Sequence, residues 1–310
     1  MDEDEKYLFD LRGYLVVKNA LSVGQIEDLS ERLEQRRNME EEGERNGRIT
    51  RAGSDRTRFD DPDDPAWSAR SLLEWSGTYI DLIDLPTIAP YLETLLGVNY
   101  RLDHDYLNIN NAESAHKLYL HGGGQGAGGP HDLVGATDGG QCYYRYSNGR
   151  FFNGLVAVAF ELDDVQAGDG GFACVPGSHK ANVGLPDDWR VSERQKDIPG
   201  CVDRVAASAG DAIIFTEACS HGTVPWQGNK ERRTIFYKYC PHAVAWSPCY
   251  YNSDNYGDLT EVQRSLLMPP SAWGPHKHTE AIWQRAQAEQ VELKTLRSKL
   301  EATRNGSSRS

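Results

Sequence analysis

Toward the N-terminus the hydrophobic positions recur at helical steps, and beyond about residue 98 they gather into short runs bounded by Gly, Asn, Asp or Pro. Tyr14-Leu15-Val16-Val17 predicts a short strand, and Ser22 a cap for a helix with Ile26, Leu29 and Leu33 on one face. Arg36 to Pro65 is polar and rich in Gly, Arg and Asp, so a long loop with at most one short helical piece is expected. Over Ala66–Leu96, residues Leu72, Leu73, Trp75, Ile80, Leu82, Ile83 and Leu92 step mostly by three and four, which predicts a helical stretch packed on a sheet. Tyr100–Asn110, Lys117–His121, Phe151–Leu162, Phe172–Val175, Ala212–Phe215 and Thr234–Cys240 read as strands. Their number and spacing predict a mainly β fold with flanking helices, a sandwich or barrel of antiparallel strands.

The same pattern divides the chain. One domain over residues 1–304 is expected, made of a helical region 1–98, a β core 99–246 and an extension 247–304. Within the extension Ile282, Ala286, Leu293, Leu296 and Leu300 predict a helix over 280–300, better suited to docking on the body than to a dimerising coiled coil. Residues 305–310 read as a disordered tail. Gly122–Gly140 is glycine-dense, either a surface insertion or a lid beside a site. Gly168-Asp169-Gly170-Gly171 and Pro176-Gly177-Ser178-His179 read as tight turns.

Charge narrows the partners. Lys plus Arg total 33 against 46 Asp plus Glu, a net −13, which opposes binding to a nucleic-acid polymer or an anionic membrane. The longest clean apolar run, Leu155–Phe160, is far short of the ~20 residues that span a bilayer. The acidic start and six cysteines without CxxC pairs fit a soluble, cytoplasmic protein with free thiols, a monomer or homodimer. Against this acidic background Arg45, Arg48, Arg51, Arg56 and Arg58 face only Asp55 in their segment. They are either a solvated loop or a clamp for an anionic group on a small substrate.

Of nine histidines, His121 ends one predicted strand and His221 follows another. Arg232 lies eleven positions beyond His221 at the start of a predicted neighbouring strand, so a hairpin could return its guanidinium beside His221 and anchor a carboxylate. At this level the chain resembles the phytanoyl-CoA dioxygenase-like family of non-haem iron oxygenases. The motifs that carry the resemblance are Gly13-Tyr14-Leu15-Val16, Leu120-His121-Gly122-Gly123, Gly168-Asp169-Gly170-Gly171-Phe172, Val175-Pro176-Gly177-Ser178-His179-Lys180, Ala209-Gly210-Asp211 and His221-Gly222-Thr223 with Arg232-Arg233-Thr234. The resemblance implies a double-stranded β-helix (jelly-roll or cupin-like) core, with Fe(II), 2-oxoglutarate and O2 as cofactors. It further implies His121 and His221 as metal ligands and Arg232, with Thr223 beside it, on the 2-oxoglutarate carboxylate; Arg233 is the alternative if the register slips by one.

The departure from the family pattern is at residue 123. Such enzymes use two histidines and a carboxylate, the acid lying two positions after the first histidine; here that position is Gly123. Only His278-Thr279-Glu280 has the spacing, but it comes after His221, and Glu280 reads as helix N-terminal charge. The chain is therefore similar to the iron- and 2-oxoglutarate-dependent halogenases, in which glycine or alanine replaces the acid and chloride takes the open position. Within that group it looks most like those acting on a deoxyadenine nucleotide, and the alternative is a hydroxylase whose third ligand comes from Asp132, Asp138 or Glu217. His131-Asp132 is a weaker ligand pair, because adjacent side chains diverge. Gln141, Tyr143, Arg145, Asn153 and Glu217 are candidate substrate contacts, with Arg48 and Arg51 for an anionic group. A reading of another class is a ligand-binding β-sandwich whose histidines hold no metal.

Overall fold

The computed structural model describes residues 1–45, 67–113, 117–122, 142–166, 168–247 and 251–275, with isolated positions beyond. A six-stranded antiparallel sheet forms the centre, in the order β1 (Tyr14–Val17), β11 (Ala212–Thr216), β7 (Val156–Glu161), β13 (Arg232–Pro241), β3 (Tyr100–Asn110) and β2 (Trp67–Arg70). A smaller sheet, β10 (Asp203–Arg204), β8 (Gly171–Cys174) and β12 (His221–Val224), lies over one face. Two-stranded pieces complete the set: β4 (Leu118–Tyr119) with β9 (Val191–Ser192), and β5 (Tyr144–Ser147) with β6 (Arg150–Asn153).

Side-chain alternation sorts the central sheet into two faces. Val156, Val158, Phe160, Ala212, Ile214, Ile235, Tyr237 and Tyr239 enter a large apolar cluster with the helices α1 (Glu3–Arg12), α2 (Val23–Arg45), α3 (Thr78–Asp81) and α4 (Ala89–Leu96). Their neighbours Ala157, Ala159, Ile213, Phe215 and Phe236 face the smaller sheet through Phe172 and Cys174. On β13 this inner face is a column of Arg232, Thr234, Phe236 and Lys238, all buried. Across from it on β3 the register sets Asn110, Asn108, Tyr106 and His104.

The expected helices differ in extent. The polar run after Arg36 is not a loop from its start: α2 continues to Arg45, because Gln35, Arg36, Arg37 and the following glutamates are good helix formers, and Arg37 fastens the helix to Glu231 at 2.8 Å and 3.1 Å. The helix expected over Ala66–Leu96 is instead β2, a 3₁₀ turn at Leu72–Trp75, α3, a second 3₁₀ turn and α4. Ser71, Ser76 and Gly77 all have positive φ and interrupt it. The α1 helix was not foreseen, although Asp2 and Glu5 form a capping box at its start. Phe151–Leu162 is two strands, β6 and β7, rather than one. The 280–300 helix and the 305–310 tail fall almost entirely outside the described residues. Cys142, Cys174, Cys201, Cys219 and Cys240 are free thiols. Among the described residues no helix is long and apolar enough to cross a membrane.

A buried charge cluster ties the segment after β13 to the sheet. Asp103 lies where the β3–β13 register shifts, so its side chain is free to serve the segment after β13. It accepts hydrogen bonds from Trp246 N at 2.9 Å, Ser247 N at 3.1 Å and Ser247 Oγ at 2.9 Å, and pairs with His104 and the fully buried Arg101. Burial opposes ionisation of Asp103, but His104, the Trp246 amide and Arg101 prevail and hold its carboxyl down at about 2. Asp103→Ala leaves Arg101 buried without its counter-charge and is expected to cost about 3–5 kcal/mol. A urea midpoint indistinguishable from that of the unaltered protein would contradict this.

Candidate active site

Two histidines meet where β12 begins. His121 N donates to His221 O and His221 N to His121 O, each at 2.9 Å, an isolated antiparallel bridge that brings the ring centroids to 4.3 Å. Gly122 makes the approach possible. Its φ is +79°, and a Cβ there would stand 2.5 Å from Glu217 O and 2.7 Å from Cys219 O. Each ring is then oriented by a carbonyl two residues back: His121 Nδ1 lies 3.1 Å from Tyr119 O and His221 Nδ1 2.7 Å from Cys219 O. A carbonyl only accepts, so both Nδ1 atoms carry the proton and both Nε2 atoms present a lone pair, the form in which imidazole binds a metal.

Burial reinforces that tautomer. His221 packs on Phe215 at 4.8 Å and Phe172 at 6.3 Å, and desolvation lowers it to about 3 against the opposing pull of Glu217. His121 is lowered for the same reason. Both are neutral through the physiological range.

Glu217 lies in the turn after β11, not on a strand, so it reaches His221 by the turn and not by strand alternation. Its Oε2 is 3.6 Å from His221 Nε2, and its Oε1 is 2.8 Å from Lys238 Nζ. Desolvation alone would raise the Glu217 carboxyl; Lys238 and His221 outweigh it and bring it to about 2. Desolvation opposes the charge on Lys238, but Glu217 and Tyr106 prevail and raise it, and its ammonium lies 5.3 Å above the Tyr106 ring.

At the other end of the inner column Arg232 is fully buried and paired with Glu161, which also accepts from Thr234 Oγ1 at 2.8 Å. Its Nε has no hydrogen-bond partner, and it rests on Gly171, where a Cβ would meet that atom at 3.1 Å. Gly171 pairs with Val224, three positions along β12 from His221. The expected hairpin between the His221 and Arg232 strands is not present: β12 and β13 lie in different sheets, and Arg232 meets the smaller sheet at Gly171 of β8. Arg233 points to the other face and forks onto Asp163 at 2.9 Å and 2.8 Å, so it does not share the site. Thr223, two positions after His221, shares that residue's side of β12.

Asn153 is fully buried and donates to Leu95 O at 2.9 Å, which ties it to α4. Tyr143 is fixed by its carbonyl, which accepts from Gly154 N. Arg145 stacks over the Phe152 ring at 4.7 Å. Gly123, Gln141, Asp132, Asp138, Arg48 and Arg51 lie outside the described residues. Lys238 and Glu161 were missed in the sequence, though counting by twos from Arg232 places Lys238 on the inner face. Among the described residues no group of three or more His, Cys, Asp and Glu side chains is arranged to hold a metal. The donors that converge are two imidazoles, and the free Nε of Arg232 is a donor in wait for an anion; both suit iron and a dicarboxylate cosubstrate.

The family model for phytanoyl-CoA dioxygenase matches residues 140–234. A comparison with curated proteins gives no match. HygX from Streptomyces hygroscopicus, solved with nickel, 2-oxoglutarate and hygromycin B, is similar at TM-score 0.63 and 23% identity, over 83% of this chain and 95% of that one. The epimerase SnoN of nogalamycin biosynthesis, solved with Fe3+, α-ketoglutarate and nogalamycin RO, follows at 0.52 and 18%, over 84% and 90%. AviO1 from Streptomyces viridochromogenes Tue57 gives 0.52 and 20%, over 78% and 96%. The mainly β fold with its large antiparallel sheet and flanking helices is thus shared with these structures. The matched family segment, residues 140–234, spans β5 to β12 and both sheets, and ends at Thr234 early in β13.

The neutral histidines make the metal-free protein acid-sensitive. With His221 depressed to about 3, the unfolded chain takes up the proton first, and stability falls as the pH drops through about 6.5 toward 3. Glu217, depressed to about 2, adds its loss only below about 4.5. Between pH 7 and pH 5 His221 should contribute about 2 kcal/mol of this loss. Urea unfolding of the metal-free protein and of His221→Gln at the two pH values should differ by that amount; equal losses would contradict the assignment.

Proposed function

We propose that this chain is an iron(II)- and 2-oxoglutarate-dependent halogenase that replaces hydrogen by chlorine at an unactivated C–H of a small anionic substrate, such as a nucleotide. The observation that carries the reading is the ligand set: two neutral imidazoles with free Nε2 atoms, and glycine where the family's carboxylate stands. His121 and His221 hold the iron, and Arg232 receives the distal carboxylate of 2-oxoglutarate, with Thr223 and Thr234 along the same interior. Iron with 2-oxoglutarate and O2 supplies the oxidising power for C–H cleavage. The overall balance takes R–H, chloride, 2-oxoglutarate, O2 and one proton to R–Cl, succinate, CO2 and water.

The chain's own residues do the rest. The Tyr119 and Cys219 carbonyls keep both imidazoles in the ligating tautomer, and the apolar wall of Phe172, Phe215 and Phe236 excludes water. Ala157 and Ala159 pack with that wall on the inner face. A small antibiotic-pathway substrate is supported by the hygromycin B and nogalamycin complexes of the similar structures. An anionic substrate such as a nucleotide is suggested by the arginine-rich sequence of residues 45–58, Arg48 and Arg51 among them, whose guanidinium groups suit a phosphate.

One observation favours a second reading, a hydroxylase. Two donors on one metal, each bonded at about 2.1 Å near a right angle, stand about 3 Å apart, and Glu217 Oε2 is 3.6 Å from His221 Nε2. A small side-chain movement would make Glu217 a third ligand.

Mass spectrometry of the product, with chloride present and rigorously removed, separates the two readings. A halogenase requires chloride, and Gly123→Asp abolishes chlorination because its carboxylate takes the anion's place. Equal turnover without halide, with oxygen added, would make the enzyme a hydroxylase. Removing the Arg232 contact should raise the 2-oxoglutarate KM by ~30- to 1000-fold, for about 2–4 kcal/mol. Arg232→Ala/Glu161→Gln avoids stranding a buried carboxylate, and an unchanged KM in it would remove Arg232 from the role.

A further inference from the structure

Lys238 is the one inner-column cation without a place in the reaction described above. It sits on β13 six positions from Arg232, and its ammonium meets the Glu217 carboxylate at 2.8 Å. The side chains facing this pair are His221, His121, Tyr106 and His104. The Glu217 backbone is fixed, its N–H donating to Leu155 O at 3.0 Å, so only the side chain can move. One carboxylate oxygen is thus drawn to Lys238 while the other stops within a few tenths of an ångström of a ligating distance from His221 Nε2.

Resting on the two-histidine metal reading, we propose that Lys238 is a positioning residue that holds the Glu217 carboxylate off the metal and so preserves the third coordination position for an exogenous anion. A glycine at position 123 removes one carboxylate from the ligand set, but a second buried carboxylate lies beside the same histidines. Without a counter-charge it would turn to the nearest cation, which is the metal. Lys238 supplies that counter-charge from the opposite side. Gly123 and Lys238 are in this view two halves of one device: the first deletes a ligand and the second restrains its substitute.

The test is calorimetric titration of the full chain, stripped of metal, with Co(II) in chloride-free buffer, alongside the visible Co(II) spectrum. Glu217→Gln should give the unaltered protein's Co(II) spectrum, with binding weakened only by the lost charge beside the site. Lys238→Met should bind about tenfold or more tightly and with an altered spectrum, as the released carboxylate joins the metal. Lys238→Met/Glu217→Gln should return to the original affinity, and Lys238→Arg, which keeps the ion pair, should not depart from it. A changed spectrum in Glu217→Gln would overturn the proposal, since the carboxylate would already be a ligand; so would an unchanged spectrum in a folded Lys238→Met. If Lys238→Met fails to fold, Lys238→Gln, also uncharged, carries the same expectation. Binding that is unaffected by His121→Ala and His221→Ala would instead reject the metal site itself.

Discussion

The site depends on two peptide carbonyls. Those of Tyr119 and Cys219 fix the Nδ1 protons of His121 and His221, and without them neither ring would have a defined lone pair to offer. The carbonyls are placed by the backbone bridge between the two histidines, and that bridge needs Gly122, since any side chain there would strike the 217–219 turn. Ligand chemistry here is therefore set by main-chain geometry. The role of the fold is to bury His221 between two sheets and to bring the half-buried His121 against it.

The central sheet provides the enclosure through its period of two. One face of β13 adds Ile235, Tyr237 and Tyr239 to the helix-covered core, and the other adds charge and hydroxyl groups to the interior. Burying Arg232 and Lys238 is costly unless each is paired, and each has a carboxylate, Glu161 and Glu217. The interior therefore carries two compensated ion pairs at separate ends of one column. One lies where a dicarboxylate would be anchored and the other beside the histidines, so opening either pair exposes a charge to cofactor or ligand.

Much of this was legible in the sequence. His121, His221 and Arg232 stood out because glycines, strand ends and family spacing surround them, and the structure brings the two histidines together and sets Arg232 on the inner face. The β core followed from short apolar runs, which strand burial makes unambiguous. The length of α2 was hidden because past Leu33 it presents mostly polar residues, and a helix without an apolar stripe looks like a loop. The 66–96 stretch misled for the opposite reason: its apolar residues are buried all round, so their spacing resembles a helix even where Ser71, Ser76 and Gly77 break it. Lys238 was passed over because a lysine inside a strand reads as solvent-facing, whereas the sheet turns it inward. Its partner Glu217 drew notice only as a neighbour of His221 in sequence.

In the proposed halogenase two protein nitrogens and no protein carboxylate would hold the metal, leaving a position for a halide. X-ray absorption on the iron(II) enzyme with 2-oxoglutarate bound, recorded with chloride and with a non-coordinating anion, tests it most directly. The account predicts a chlorine scatterer in the iron shell in the first sample, replaced by a lighter oxygen ligand in the second. Identical spectra in the two samples, fitted by nitrogen and oxygen alone, would contradict it and place a carboxylate of the chain on the metal.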